Sequence, residues 1–335
     1  MPVLILLLLV AFLGLGTVGL AGRRVGARRR ASHPPRGRLV DVGGFRMHIV
    51  SLGEGEPAVV VDAGQGDFSL SWGGIASRVA EFTRVVTYDR AGLGWSDPSP
   101  RPRTAEVMVE ELRALLTRAG VPAPYVLVGH SAGGMNVRLF AHKYPDEVAG
   151  LVLVDASHED QFSAPVVRQT FERMAKMMPV MNGAMMWMVR SGLPALRPGL
   201  IPDGSGLRSR LPRHDAAALD ALLTGDPGHL RAATAELQAL DATHAQMRAA
   251  GITTLGDIPL VVIRHGAEQP MMASPEVVAA LDETFERLQG EMAALSSNGR
   301  LVVAEQSGHL VHLDEPDLVV DAIREVVVAA RAHRS

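Results

Sequence analysis

A serine acts as a nucleophile only where the chain displays its hydroxyl and sets a base beside it. The stretch YVLVGHSAGGMNVRLF, Tyr125 to Phe140, offers such a display. Its first residues form a continuous apolar run, as in a strand buried on both faces, whereas Val137, Phe140 and Ala141 recur at helical spacing. Ser131 therefore falls at a strand-to-helix corner. The small residues around it permit a sharp turn, and the helix that follows points its N-terminal amides back at the corner.

The surrounding pattern supplies the elements that must hold this corner. After a short linker, ASHPPRG, the segment from Arg38 has two β-rich runs around a Gly-Gly turn and reads as a hairpin. The runs AVVVDAG, RVVTYDRAG, YVLVGHS and GLVLVDAS follow, each apolar and ending in small or charged residues, with periodic segments at Thr104 to Ala119 and Gly133 to Tyr144. Between His158 and Gly256 no convincing strand occurs, and Met, Leu, Ala and Pro dominate. The alternation resumes with IPLVVIRHG, a helix from Pro275 to about Leu295, RLVVAEQSGH, and a last helix from Pro316 to about Arg331. This predicts an α/β protein: a mostly parallel sheet with helices on both faces and a helical insertion. Ligands in such sheets bind beyond the carboxyl ends of the strands. The residues there are Asp62 to Gln65, Asp89 to Gly94, His130 to Gly133, Asp155 to Asp160, His265 to Glu268 and Ser307 to His309.

With these residues in view, the chain from about Arg38 onward resembles the α/β-hydrolase-fold enzymes. Gly129, Ser131 and Gly133 match their Gly-x-Ser-x-Gly nucleophile elbow, flanked by the required strand and helix, and YDRAGLGWSD and SGHLVHLDEP stand in the expected order around it. The resemblance implies that His309, in the loop before the last helix, is the base. His312 is then a packing or supporting residue, and His130 orients the elbow or lines the pocket. For the acid, most of the family uses the loop after the strand that here reads LVVIRHG, which offers Glu268; some members use the strand after the elbow helix, which here ends in Asp155, with Asp160 further on. Asp155 is favoured, with Glu268 the alternative. The oxyanion hole is expected from the backbone amides of Ala132 and Gln65, although the family often has His-Gly where this chain has Ala63-Gly64.

The implied domains are hydrolase core at residues 38–157 and 257–335 and a helical lid at 158–256. The implied function is hydrolysis of a carboxylic ester, one side apolar, by a Ser-His-acid triad through an acyl-enzyme. The alternatives are amide or peptide hydrolysis of the proline-iminopeptidase type, or a ligand-binding member of the fold that has lost catalysis. The apolar-group expectation comes from MAKMMPVMNGAMMWM, where seven methionines and Trp187 make an adaptable surface. No cofactor is called for, and no His/Asp spacing or phosphate-loop lysine suggests a metal or nucleotide.

Composition narrows the classes further. The 335 residues contain no cysteine, which excludes disulfides and thiolate chemistry. The first 40 residues hold seven arginines and no acid, leaving 26 basic against 36 acidic residues, a net of −10, which argues against a nucleic-acid partner. Residues 1–22 begin with an uncharged stretch about as long as the roughly 20 residues a membrane-spanning helix requires, followed by a basic linker at 23–37. By the positive-inside rule the expectation is a transmembrane anchor with a cytoplasmic body; a cleaved signal with secretion, or a span with the body outside, are the alternatives.

Overall fold

The structure is a computed structural model that describes residues 2–201, 206–267 and 274–334. The chain divides into two compact units, Gly37–Lys176 with Ala232–Ser335, and Met1–Arg36 with Met177–Arg231.

The larger unit is built on one sheet. Its strands are β1 (Arg38–Asp41), β2 (Arg46–Leu52), β3 (Ala58–Asp62), β4 (Val85–Tyr88), β5 (Tyr125–His130), β6 (Val148–Val154), β7 (Leu260–His265) and β8 (Gly299–Ala304), in spatial order β1-β2-β4-β3-β5-β6-β7-β8. Only β2 runs against the others, pairing antiparallel with β1 and β4. The β1–β2 turn falls where the sequence has Gly43-Gly44: both glycines have positive φ, and Asp41 Oδ1 accepts from both of their amides. Successive side chains of the central strands serve opposite faces of the sheet. Val60, Leu127, Leu151 and Val262 pack with Val109, Leu112, Val137 and Phe140 on one face. Val59, Val61, Val126, Val128 and Ile263 pack with Trp72, Ile75, Val319 and Ile323 on the other. At about 1.5–3 kcal/mol for each fully buried side chain of this size, these two layers are the main source of the unit's stability.

Register turns this core into a platform. Asp62 is level with Gly129, Gly129 with Leu153, and Leu153 with Val262. The carboxyl ends of β3, β5, β6 and β7 are thus nearly flush, and residues two positions further, including Ser131 and Asp155, emerge side by side. The helix Ala132–Lys143 leaves β5 almost on top of β3, so a Cβ at Gly133 would lie 2.7 Å from Ala63 O and closer still to Asp62 O.

In the smaller unit the helix Pro2–Ser32 packs on the helices Leu193–Leu196 and Arg213–Gly225. Its glycines allow backbone contact: a Cβ at Gly26 would meet Gly225 Cα at 3.0 Å, and one at Gly22 would overlap the Gly192 backbone. Arg23 Nε donates to Arg190 O at 2.8 Å, and Arg36 pairs with Asp215 at 2.6 Å.

This corrects the expectation of a membrane anchor at residues 1–22, and with it the membrane partner and the cytoplasmic placement of the body. Among the described residues no helix is long and apolar enough to cross a membrane. The N-terminal helix does not end at a basic linker but runs on through Arg23, Arg24, Arg28, Arg29 and Arg30, and its residues Gly22, Arg23 and Gly26 contact neighbouring helices of the same unit.

The close approach at Gly133 yields a test. Gly→Ala inside a helix ordinarily stabilises by about 1 kcal/mol, but Gly133→Ala is expected to destabilise by about 1–3 kcal/mol through overpacking. Urea unfolding should show a lower midpoint at unchanged slope.

Candidate active site

Ser131 joins β5 to the helix Ala132–Lys143 with φ 51° and ψ −124°, a backbone conformation that side-chain-bearing residues rarely adopt. The strain is held by its neighbours: Ser131 N donates to Val154 O at 3.2 Å, and Ser131 O accepts from Gly134 N at 2.9 Å and Ser157 N at 2.8 Å. Glycine is needed at Gly129 because a Cβ there would come within 2.8 Å of Gly133 O.

Ser131 Oγ lies 3.0 Å from His309 Nε2, and His309 Nδ1 lies 2.7 Å from Asp155 Oδ2. Asp155 follows the last residue of β6 and is the only other non-glycine residue, among those described, with positive φ (45°). Its side chain is fully buried, whereas His309 is 41% exposed. The carboxylate also accepts from His265 at the end of β7, from the backbone amide at 2.8 Å and from Nδ1 at 2.8 and 3.0 Å. Burial alone would raise the Asp155 pKa, but the hydrogen bonds from His265 and His309, and their charge when protonated, lower it to about 2. Asp155 is therefore an anion across the working range of a histidine.

Of the other acids considered, Asp160 is not brought to this cluster: it pairs with Arg248 at 2.8 Å on the surface. Glu268 lies outside the described residues.

The oxyanion-hole candidates flank the same hydroxyl. Ala132 N opens a helix, and an amide in that position has no intrahelical partner. The loop carrying Gln65 passes over Ser131: a Cβ on Gly64 would lie 3.3 Å from Ser131 Cβ and 2.9 Å from His130 Nδ1. Gln65 is turned away at its side chain, whose Nε2 donates to Ala233 O at 3.1 Å.

Sequence reasoning missed what fixes that loop. Arg90, buried after β4, directs all five of its donors inward. Nη1 bonds Asp62 Oδ1 and Ala63 O at 2.6 Å, Nη2 bonds Gly64 O at 2.6 Å and Glu236 Oε2 at 3.0 Å, and Nε bonds Glu236 Oε1 at 2.7 Å. Glu236 in turn accepts from Gly66 N at 2.9 Å, and Asn136 Nδ2 donates to Asp62 Oδ2 at 2.9 Å. Burial pushes the Glu236 carboxyl up, but the Arg90 charge outweighs it and holds the group below the usual carboxylate range. The RAG of YDRAG was visible as a strand end; nothing local tied it to a glutamate 146 residues later.

His130 lies against His309, and His312 against His130. His130 Nε2 is 2.9 Å from His309 O, so it must carry the proton and donate. Burial first, then the proximity of His309, lowers the His130 pKa to about 3 and keeps the ring neutral. His312 stacks on Trp72 with centroids 4.4 Å apart and planes 5° from parallel.

Residues 59–322 match the sequence profile described as the Alpha/beta hydrolase family, well over half of the chain. The chain belongs to that family. Among curated relatives, this α/β hydrolase is 29% identical over 334 residues to a protein named probable transporter efuK from Hormonema carpetanum, over 91% of its own length but only 44% of the relative's. Among solved structures it is similar to an esterase from Thermogutta terrifontis (22% identity, 89% of this chain and 99% of that one, TM-score 0.57). It is also similar to an epoxide hydrolase from Bacillus megaterium (19% identity, 86% and 99%, TM-score 0.62). At these identities the likeness shows the fold.

Removing Arg90 should be costly because it strands two buried carboxylates. Arg90→Met is expected to lose about 3–5 kcal/mol of stability, and Arg90→Lys should not restore it, because an ammonium cannot reproduce the planar fork. Chemical denaturation of the three proteins checks both statements.

Proposed function

We propose that this chain is a serine hydrolase that cleaves a carboxylic ester, with Ser131 as nucleophile, His309 as general base and acid, and Asp155 as the carboxylate that orients the imidazole. The observation that carries the reading is the unbroken relay from Ser131 Oγ through His309 to Asp155, at 3.0 and 2.7 Å. His309 takes the hydroxyl proton as Oγ attacks the carbonyl carbon. The oxyanion that develops is met by the amides of Ala132 and Gln65. His309 returns its proton to the departing alkoxide, leaving an ester on Ser131. Water, deprotonated by the same imidazole, then releases the acid and restores the serine.

Backbone strain favours this over a binding protein that has lost catalysis. Sparsely populated conformations cost of order 1–3 kcal/mol each, and the two non-glycine residues that carry one among those described, Ser131 and Asp155, are the two ends of the relay. Epoxide opening by Ser131 is disfavoured by its product: alkoxide attack on an epoxide carbon leaves an ether, which hydroxide at this site would not cleave. Attack on a carbonyl leaves an ester, which it would. Amide or peptide hydrolysis of the iminopeptidase type uses the same groups, but the poorer amine leaving group demands a proton from His309 before the C–N bond breaks. Esters need less, and are preferred here; an apolar group on one side of the ester belongs to the same proposal.

A fluorophosphonate probe should label Ser131 in folded protein. Ser131→Ala and His309→Ala should each abolish turnover of p-nitrophenyl esters at nearly unchanged Tm, and Asp155→Asn should lower kcat by roughly three to four orders of magnitude. Amino-acid arylamides assayed beside a series of ester chain lengths decide between the two leaving groups. Absence of labelling, or wild-type turnover in Ser131→Ala, would sink the proposal.

A further inference from the structure

We propose that His265 is a positioning residue for the Asp155 carboxylate, a second imidazole that aims it at His309 and, by taking up a proton, turns the site down in acid. This rests on the triad reading and deepens it.

The geometry is a carboxylate held between two imidazoles. Asp155 Oδ2 receives His309 Nδ1 at 2.7 Å, while Oδ1 receives both the amide and the Nδ1 of His265 at 2.8 Å. With no exposure of its own, Asp155 depends on these donors for its orientation. When His265 is neutral, its proton must sit on Nδ1, facing the carboxylate, and Nε2 is bare. His265 then orients Asp155 without neutralising it, and the full negative charge faces His309 as that ring becomes an imidazolium in the transition state.

Protonation at Nε2 changes the balance. An imidazolium now pairs with Asp155, and a second positive charge on His309 would form beside a carboxylate already compensated. The groups that face His265 decide when this happens. They are Asp155 beyond β6, His309 across the shared carboxylate, Asp282 and the Phe285 ring (centroids 5.0 Å) from the helix Pro275–Ala293, and Arg264 on its own strand, itself held by Glu286 at 3.0 Å. Burial lowers the proton affinity of His265, and Arg264 adds to that, but the hydrogen bond and charge of Asp155 with the charge of Asp282 outweigh both, so the pKa is raised above the ordinary histidine value. A histidine raised on folding stabilises the fold fully below its unfolded pKa, and loses that contribution as pH rises through the folded pKa. The protonated form is thus the more stable and the less active one.

The discriminating variant is His265→Asn, whose amide N–H stands close to the Nδ1 position and cannot take a proton. In pH–rate profiles of the full chain on a p-nitrophenyl ester, the wild type should lose activity in acid with a limb steeper than one proton. His265→Asn should keep kcat within about threefold at high pH while its limb shifts to lower pH and falls to one proton, the behaviour expected when one titrating group is removed. His265→Ala should lose roughly ten- to hundredfold in kcat at high pH, the effect of a missing hydrogen bond to a charged group. An acid limb in His265→Asn identical to wild type overturns the proposal, even if His265→Ala fails to fold. A wild type that does not label with fluorophosphonate overturns the triad reading instead; imidazole ¹⁵N titration then tests the contact directly, since Asp155→Asn must lower the His265 pKa, and an unmoved pKa overturns the contact.

Discussion

A guanidinium buried among carboxylates and carbonyls is held most firmly when every donor is satisfied, because each unpaired N–H in a low-dielectric interior costs about 1–3 kcal/mol or more. Arg90 meets that condition with five bonds to four residues, and the arrangement of the carboxyl end of the sheet follows from it. Two of the bonds go to the carbonyls of Ala63 and Gly64, which fixes the plane of the peptide whose nitrogen belongs to Gln65. Another goes to Asp62, which Asn136 holds from the elbow helix, so the loop after β3 and the helix after β5 share one anchor. The bonds to Glu236 bring in a segment that the sheet alone would not reach.

Strain and support are matched around Ser131 and Asp155. Ser131 and Asp155 both adopt left-handed backbone, and both are tied to the adjacent strand: Ser131 N to Val154 O, Asp155 N to Ile263 O at 2.7 Å. The two residues are thus consecutive steps of one ladder, β5 to β6 to β7, and their mutual placement is as rigid as the sheet. His309 is different in kind. It comes from a loop, and its position is secured by side chains, with His130 donating to its carbonyl and Asp155 accepting from Nδ1 of its ring.

Central strands were legible because burial on both faces leaves an unmistakable signature: AVVVD and YVLVGH are buried at every position. The hairpin was legible from Gly43-Gly44. The helix Gly73–Val79 was not read, since it opens with two glycines and has no side-chain cap. Ser131 could be found from the spacing of glycines that the close approach of strand and helix demands; Asp155 lies beside His309 and Asp160 beside Arg248, while Glu268 lies outside the described residues. Arg90 and His265 stood among the strand-end residues, but their roles and that of Glu236 could not be found, because the partners lie 26 to 170 residues away and nothing local announces them. The N-terminal segment misled for another reason. The expected span stopped at residue 22, whereas the helix continues through five arginines to Ser32.

The order of the parts along the chain has a temporal meaning. Ser131 and Asp155 lie in one strand-helix-strand unit, but His309 is made 154 residues after Asp155 and 178 after Ser131. Synthesis runs from the N-terminus and domains complete as their last elements emerge. During translation Ser131 therefore emerges well before His309, which follows β8 at the edge of the sheet. Under the proposed triad, a ribosome-bound chain has no base beside Ser131 until then, so reactivity toward acyl groups would begin only once β8 has joined the edge of the sheet.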